Sequence, residues 1–263
     1  MTDYDLLCMI LSAMQWRRCN GSIRLITDRM GERYLYSCGL DILWDDGIIP
    51  SLDAVPYTVD PETFWAAGKL FALDTMSAPC VMLDTDFIVW DELSDRWDHS
   101  DLTVIHREEL QPDIYPDPRT FVCAQGYCYP DNWDTTQPAC NTAFCYFGSE
   151  ELRRSYCEQA LAFITAARGR HPLHYMVFAE QRLLSMCAAQ LGCRIDTLGE
   201  LPQLFEAQQT RFTHLWGYKR LLHENPEERS RFCRRCVQRI ESDFPELTPI
   251  LSTHPLLRPY QIK

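Results

Sequence analysis

Two aspartates one residue apart, enclosed by apolar runs, are the feature that most constrains the fold of this chain. Residues 81–90 read VMLDTDFIVW and carry no other charge. The apolar run before the acids is typical of a strand covered on both faces, as in a parallel sheet, and Asp84 and Asp86 then lie at its carboxyl end. Open α/β sheets bind their ligands at that end of the strands. We therefore expect a binding site at these two residues.

The chemistry of two neighbouring carboxylates indicates a metal site. Their negative charges repel each other, and a cation between them removes the repulsion. Hard oxygen ligands suit Mg²⁺ or Mn²⁺, which normally arrives with a phosphate, so the pair favours a metal-bound diphosphate. The plainer alternative is that Asp84 and Asp86, exposed at the strand end, simply form a turn, where aspartate is common.

Length and composition favour one α/β domain. The chain has 263 residues, of which 46% are hydrophobic, and this is enough for a full core. No linker rich in Gly, Ser or Pro divides it, and no internal repeat is visible. The formal net charge of −12 disfavours nucleic acid and anionic membrane surfaces as general partners, because their phosphates would be repelled.

Cysteine usage and apolar runs predict the compartment. The longest apolar runs are far shorter than a bilayer span, and the N-terminus lacks the basic start of a signal peptide. The 13 cysteines are odd in number and scattered, which favours reduced thiols over a disulfide framework. We expect a cytoplasmic protein without a transmembrane segment, with peripheral contact at the inner face of a membrane as an alternative.

Helical and strand-like segments alternate along the chain. Periodicity and capping residues predict helices over residues 3–19, 29–38, 63–76, 149–168 and 173–191, and a last helix after Asn225-Pro226. Strand-like runs occupy residues 22–28, 40–44, 102–106 and 141–147. We expect a single domain over residues 1–222, with a mostly parallel mixed sheet flanked by helices, and a C-terminal helix and tail over residues 223–263 packed on it.

A second motif lies far downstream of the acidic pair. Residues 214–219 read His-Leu-Trp-Gly-Tyr-Lys, and together with the acids they resemble the small GT-A glycosyltransferases. The likeness is to the retaining family that includes glycogenin and the bacterial lipopolysaccharide galactosyltransferases, and it covers residues 20–220. It implies a Rossmann-like GT-A fold. It also implies residue roles: Asp84, Asp86 and His214 as metal ligands, and Asp84, Gly217 and Lys219 at the donor diphosphate.

Three further positions agree with that family in order. Lys69 lies where the family has a basic residue that contacts the donor. Asn141-Thr142-Ala143-Phe144 is similar to its Asn-Ala-Gly strand, and Glu180-Gln181 is similar to its Asp-Gln helix start. The resemblance implies that Gln181 and Glu180 face the reacting sugar, and that Asn141 helps to hold donor or acceptor.

The resemblance implies a metal-dependent glycosyltransferase that uses Mn²⁺ or Mg²⁺. Its donor would be a nucleotide-sugar, a UDP-sugar foremost, its acceptor a saccharide, a lipid-linked sugar or a protein, and its outcome retention. Two alternatives stay open. A phosphohydrolase of the haloacid dehalogenase type also places two aspartates one residue apart after an apolar strand. A non-catalytic GT-A-like binder, an inactive relative, fits a chain that begins directly on a helix where the family begins on a strand.

Overall fold

The chain forms two compact units. A computed structural model describes residues 1–97, 99–205 and 209–261, and the units are defined over these residues. The first unit gathers three separated stretches of chain, Met1–Pro50, Asp84–Leu93 and Gln209–Lys263. The second unit comprises two stretches, Ser51–Leu83 and Ser94–Gln208.

Helices and short strands make up a mixed α/β protein, as the sequence predicts. The helices of the described residues are, in chain order, α1 (Asp3–Cys19), α2 (Arg29–Ser37), α3 (Ala67–Asp74), α4 (Glu150–Ala166), α5 (Pro172–Val177), α6 (Leu183–Leu191), α7 (Leu201–Phe205), α8 (Tyr218–Glu224), α9 (Pro226–Asp243) and α10 (Thr248–Thr253). The strands are β1 (Leu25–Ile26), β2 (Ile48–Ile49), β3 (Cys80–Leu83), β4 (Phe87–Val89), β5 (Leu102–Val104), β6 (Arg107–Glu108), β7 (Ala139–Cys140), β8 (Phe144–Phe147), β9 (Ile195–Thr197) and β10 (Phe212–His214). None of these helices combines the length and the apolarity needed to cross a membrane.

Helix α1 lies in the core of the first unit. A capping box fixes its start: the Thr2 hydroxyl accepts from the Asp5 N–H, and the Asp5 carboxylate accepts from the Thr2 N–H. The helix is buried over most of its circumference and packs against β4 and α9, as an apolar helix within a core does. The predicted helix over residues 3–19 is confirmed.

Strands β4 and β10 join the middle and the C-terminal stretches of the first unit. They pair antiparallel, with Phe87 opposite His214 and Val89 opposite Phe212. Strand β4 is fully buried, and the Ser12 hydroxyl of α1 donates to the Phe87 carbonyl over 2.7 Å. This pairing fixes the position of His214 relative to the residues that precede β4. Strands β1 and β2 form a separate parallel pair in the same unit.

The second unit is built on a four-stranded sheet with the order β3-β8-β5-β9. Strand β8 runs antiparallel to both of its neighbours, and only β9 pairs parallel, with β5. The core beside this sheet combines side chains of α3, α4 and α6 with those of β5 and β8. The prediction of a mixed sheet flanked by helices is confirmed. Three of its four strands, β3, β5 and β9, run in the same direction, and only β8, between β3 and β5, runs opposite to them.

Strand β3 differs from its prediction in burial. The apolar run before the acids indicated a strand covered on both faces, but every residue of β3 is half-buried and its described pairing is with β8 alone. Strand β4, which follows the acids, is fully buried. The apolar composition therefore predicted the strand correctly but not how deeply the strand is buried.

One predicted strand is replaced by a turn, and one predicted helix begins later than predicted because a turn precedes it. Residues 40–44, predicted as a strand, contain a 3₁₀ turn over Asp41–Leu43. The helix predicted from Thr63 begins only at Ala67. Asp60 lies in a separate turn before this helix. There the Thr63 hydroxyl donates to the Asp60 carboxylate over 2.7 Å, so the carboxylate already has a hydrogen-bond donor before the helix starts.

The C-terminal helices belong to the first unit. Helix α9 begins after Asn225, as predicted, with Pro226 at its first position. The Asn225 side-chain oxygen accepts from the N–H groups of Glu227 and Glu228 over 3.1 and 3.0 Å. The cap therefore satisfies two donors that the helix itself leaves unpaired.

The start of α1 is tied to the C-terminal stretch. The buried Asp3 carboxylate accepts two hydrogen bonds from Arg229 Nε on α9, over 2.8 and 3.1 Å. It also accepts one from the Tyr260 hydroxyl. The predicted division into a domain over residues 1–222 and a tail over residues 223–263 stays a prediction.

We expect Asn225→Ala to lower the free energy of unfolding by about 1 kcal/mol, because the substitution removes the acceptor of the α9 cap. Urea denaturation followed by circular dichroism measures the change. Asn225→Asp is the matched control, since its carboxylate can still accept from the same N–H groups and should keep the parent's stability. An alanine variant as stable as the aspartate variant would contradict this role of the cap.

Candidate functional site

Asp84 and Asp86 lie in the turn that precedes β4. The Phe87 N–H donates to the Asp84 carbonyl over 3.0 Å, so the backbone folds back across the residues between them. The alternative interpretation of the pair as turn residues is thus correct for the backbone. Whether the pair can also hold a metal depends on the positions of the side chains.

His214 completes a group of three side chains that can share one metal ion. One ligand atom from each of Asp84, Asp86 and His214 lies within 4.8 Å of the other two, and His214 Nε2 is 3.9 Å from Asp86 Oδ2. Ligand atoms about 2.1 Å from one ion lie roughly 3 Å apart when adjacent and about 4 Å apart when opposite. The three atoms therefore stand close to the separation that a shared ion requires. We call these three residues the candidate metal site.

The backbone of β4 and β10 produces this meeting. Since His214 pairs with Phe87 in the antiparallel register, it lies directly beside Asp86. The Leu215 N–H continues the pairing and donates to the Asp86 carbonyl over 3.4 Å. Residues far apart in sequence thus meet through strand pairing rather than through a flexible loop.

The candidate metal site is partly enclosed. Asp86 is buried, with 7% of its surface exposed, whereas Asp84 and His214 are half-buried. The prediction that both acids are exposed is therefore wrong for Asp86. A buried carboxylate needs a positive partner, because burial penalises its charge.

Lys219 on α8 is a positive partner of Asp86. Its Nζ lies 2.9 Å from Asp86 Oδ2, within the range of a charge-assisted hydrogen bond. Burial by itself lowers the pKa of Lys219, but the charge and the hydrogen bond of Asp86, with the charge of Asp5 acting in the same direction, outweigh it, so the pKa is raised. Lys219 is therefore a cation held beside the candidate metal site.

Trp216 and Gly217, which lie between His214 and Lys219, differ in backbone conformation. Trp216 has a positive φ of 34°, which is strained for a bulky residue and is found most often at functional sites. Gly217 has an ordinary helical backbone, and a Cβ added there would meet no atom within 4 Å. Neither backbone conformation nor packing within the chain requires glycine at this position.

A polar cluster in the second unit contains the remaining predicted residues. The Glu180 carboxylate, 3% exposed as a residue, pairs with Lys69 Nζ and accepts from the Thr142 hydroxyl over 2.7 Å. Lys69 also donates to the Thr142 carbonyl over 3.1 Å. The Tyr156 hydroxyl donates to the Glu180 carbonyl over 2.7 Å. Glu180 is thus held from several sides within its own unit.

Asn141 and Gln181 are linked through Glu108 and Tyr115. Asn141 Nδ2 donates to Glu108 Oε1 over 3.3 Å, and the Tyr115 hydroxyl lies 2.9 Å from Glu108 Oε2 and 2.7 Å from Gln181 Oε1. Burial, reinforced by the negative charge of Glu108, raises the pKa of Tyr115. These four side chains form one hydrogen-bonded group.

A single π-helical turn positions Glu180 and Gln181. The predicted helix over residues 173–191 is present as α5 and α6, with the π-helical turn Phe178–Arg182 between them. A π turn shifts the angular positions of side chains relative to an α-helix and often occurs at functional sites. Sequence periodicity indicated the helix but gave no sign of this turn.

The predicted site residues are divided between the two units. Those in the first unit are Asp84, Asp86, His214, Gly217 and Lys219. Those in the second unit are Lys69, Asn141, Glu180 and Gln181. Sequence reasoning missed Glu108 and Tyr115 in the second unit and Asp5 near Lys219 in the first. Asp5 lies in a predicted helix, whereas Glu108 and Tyr115 lie outside every predicted element, and polar residues at such positions are too common to single them out.

We expect Asp86→Ala to destabilise the protein more than Asp84→Ala. The first substitution removes a buried carboxylate and leaves Lys219 without it, which we expect to lower the free energy of unfolding by about 1–2 kcal/mol given that the lysine side chain is 39% exposed. Asp84 is half-buried, so its loss should cost less. Thermal and urea unfolding of both variants measure the difference. Equal losses would contradict the assignment of Asp86 as the anchored acid.

In the second unit, we expect Glu180→Ala to lower the free energy of unfolding by about 3 kcal/mol, because it removes the carboxylate from a buried ion pair. Lys69 and the Thr142 hydroxyl both lose an acceptor. Glu180→Gln retains a side-chain oxygen and is the matched control, with a smaller expected loss. Urea denaturation compares the two, and an alanine variant no less stable than the glutamine variant would contradict the pairing.

Comparison with known proteins identifies a family. The sequence model of the Family of unknown function (DUF6734) matches residues 1–252, and this range includes every residue of the candidate metal site and of the second-unit cluster. Among curated proteins and among solved structures, none matches the chain. On the extent of the family match, this chain belongs to DUF6734, a family of unknown function.

Proposed function

We propose that this protein is a metal-dependent glycosyltransferase of GT-A type that uses a nucleotide-sugar donor. The observation that supports the proposal most is the meeting of Asp84, Asp86 and His214 within 4.8 Å. These residues were singled out by their motif context in the sequence, and they come from distant parts of the chain. Lys219 beside them adds a positive charge that suits a diphosphate.

The donor set favours Mn²⁺ over Mg²⁺. Two carboxylate oxygens suit either ion, but an imidazole nitrogen is a softer ligand that Mg²⁺, which prefers oxygen and water, accepts poorly. Three protein ligands leave further positions of an octahedral ion for phosphate oxygens and water. The residues present therefore fit a manganese ion that carries a diphosphate.

The proposed chemistry is the departure of a nucleoside diphosphate from the sugar. When the bond between the anomeric carbon and the diphosphate oxygen breaks, negative charge collects on the leaving group. A divalent ion, when bound, supplies electrostatic stabilisation of that charge. Lys219 would donate to a phosphate oxygen and bring a second positive charge. The unfilled space at the Gly217 Cβ position is compatible with a close approach of the diphosphate to the backbone.

The roles of the second-unit residues stay proposals. Asn141 and Gln181 present amide groups that can bond sugar hydroxyls, and they are ordered by Glu108 and Tyr115. The pairing of Glu180 with Lys69 neutralises its charge, which favours a positioning role over a nucleophilic one. The retention of configuration that the family likeness implies is part of the same proposal.

Manganese binding tests the proposal directly. We expect Asp84→Asn, Asp86→Asn and His214→Ala each to weaken Mn²⁺ binding at least about tenfold, since each removes one ligand. Isothermal titration calorimetry with Mn²⁺ measures this, and His223→Ala is the matched control, because His223 is an exposed histidine of the same unit. Unchanged Mn²⁺ affinity in the three ligand variants would overturn the metal assignment.

A donor screen then separates transfer from binding alone. Nucleotide-sugars, UDP-sugars first, are tested by thermal shift with and without Mn²⁺, because a ligand of the folded state raises its stability by mass action. Transfer or slow hydrolysis of the stabilising donor supports the enzyme. Binding without turnover would favour the non-catalytic binder, and Mg²⁺-dependent hydrolysis of aryl phosphates would favour the phosphohydrolase.

A further inference from the structure

We infer that Lys219 is a built-in counter-cation that competes with the divalent ion for Asp86, so that the ion binds well only together with a phosphate-bearing ligand. The inference rests on the proposed function, because it takes the candidate metal site and the diphosphate from it. It adds that the affinity for the metal ion depends on the phosphate-bearing ligand. It also names Lys219 as the residue that creates this dependence.

The competition centres on one oxygen atom. Asp86 Oδ2 lies 2.9 Å from Lys219 Nζ and 3.9 Å from His214 Nε2. An ion shared by Asp86 and His214 would ligate at this oxygen, to which the ammonium group already donates. A divalent ion and an ammonium group on the same oxygen repel each other, and Asp86 is buried, which weakens screening by water. Metal binding therefore requires Lys219 to move.

Lys219 can leave Asp86 and still have its positive charge stabilised by solvent and by another anion. Its side chain is 39% exposed, so part of it already faces solvent. Asp5 at the start of α1 also acts on its charge and offers a weaker second anion. Neither solvent nor Asp5 replaces the short bond to Asp86, so in the absence of another anion the lysine favours its present place.

A metal-bound diphosphate changes this balance. Its oxygens are charged, lie next to the ion, and accept strong hydrogen bonds from an ammonium group. Lys219 then exchanges one carboxylate oxygen for a phosphate oxygen, and Asp86 is released to the ion. By thermodynamic linkage, phosphate raises the affinity for the ion by the same factor as the ion raises the affinity for phosphate.

The test measures Mn²⁺ affinity by isothermal titration calorimetry in the absence of phosphate. We expect Lys219→Met to bind Mn²⁺ about tenfold more tightly than the parent, a typical size for coupling between two sites. Lys219→Arg keeps the charge and should bind like the parent. Arg220→Met removes the neighbouring charge, whose side chain is 83% exposed and pairs with Glu224, and should also bind like the parent. Circular dichroism confirms folding, and Lys219→Gln serves as a second neutral variant.

A second titration includes inorganic pyrophosphate, with the association of Mn²⁺ and pyrophosphate in buffer included in the fit. We expect pyrophosphate to raise the Mn²⁺ affinity of the parent by about tenfold or more and that of Lys219→Met by much less. Neutral variants that bind Mn²⁺ no more tightly than the parent would overturn the inference and leave the proposed function intact. A parent protein that binds no Mn²⁺ under either condition would overturn both.

Discussion

The antiparallel pairing of β4 with β10 is the contact on which the candidate metal site depends. It sets His214 beside Phe87, the residue after Asp86, by backbone register, and the pair cannot slip by one residue without turning the buried Phe212 ring outward. The stacked rings of Phe87 and Phe212, 5.0 Å apart, add side-chain packing to the same pair. The three side chains of the candidate metal site are therefore brought together by the fold itself.

The parts of the fold that were predictable are those specified by neighbouring residues. Helix α1 follows from its apolar periodicity, and α9 follows from its cap at Asn225 and from Pro226 at its first position. The directions of the strands were not predictable, because β3 and β8 are short apolar runs whose composition is the same in parallel and antiparallel sheets. The late start of α3 was hidden by Asp60, which caps a turn as readily as a helix.

In the candidate site, too, residues marked by a local pattern were predictable, and pairs formed between distant segments were not. Asp84 and Asp86 were identifiable because an acidic pair between apolar runs is locally unusual, and His214 because of its motif. The pairing of Lys219 with Asp86 and of Lys69 with Glu180 could not be predicted, since each pair forms only after distant segments have packed. Both lysines had been assigned to a ligand by resemblance. In the structure each lysine has a carboxylate of the protein as a partner.

The division of the first unit among three stretches of chain has a consequence for synthesis on the ribosome. Helix α1 is translated before its packing partners β4 and α9, which begin at Phe87 and Pro226. The part of its apolar surface that α9 covers therefore lacks that helix until residues 94–208 of the second unit have been translated. A nascent chain in this state exposes an aggregation-prone helix. The exposure ends when α9 has left the ribosome, which makes this helix the element that completes the packing around α1.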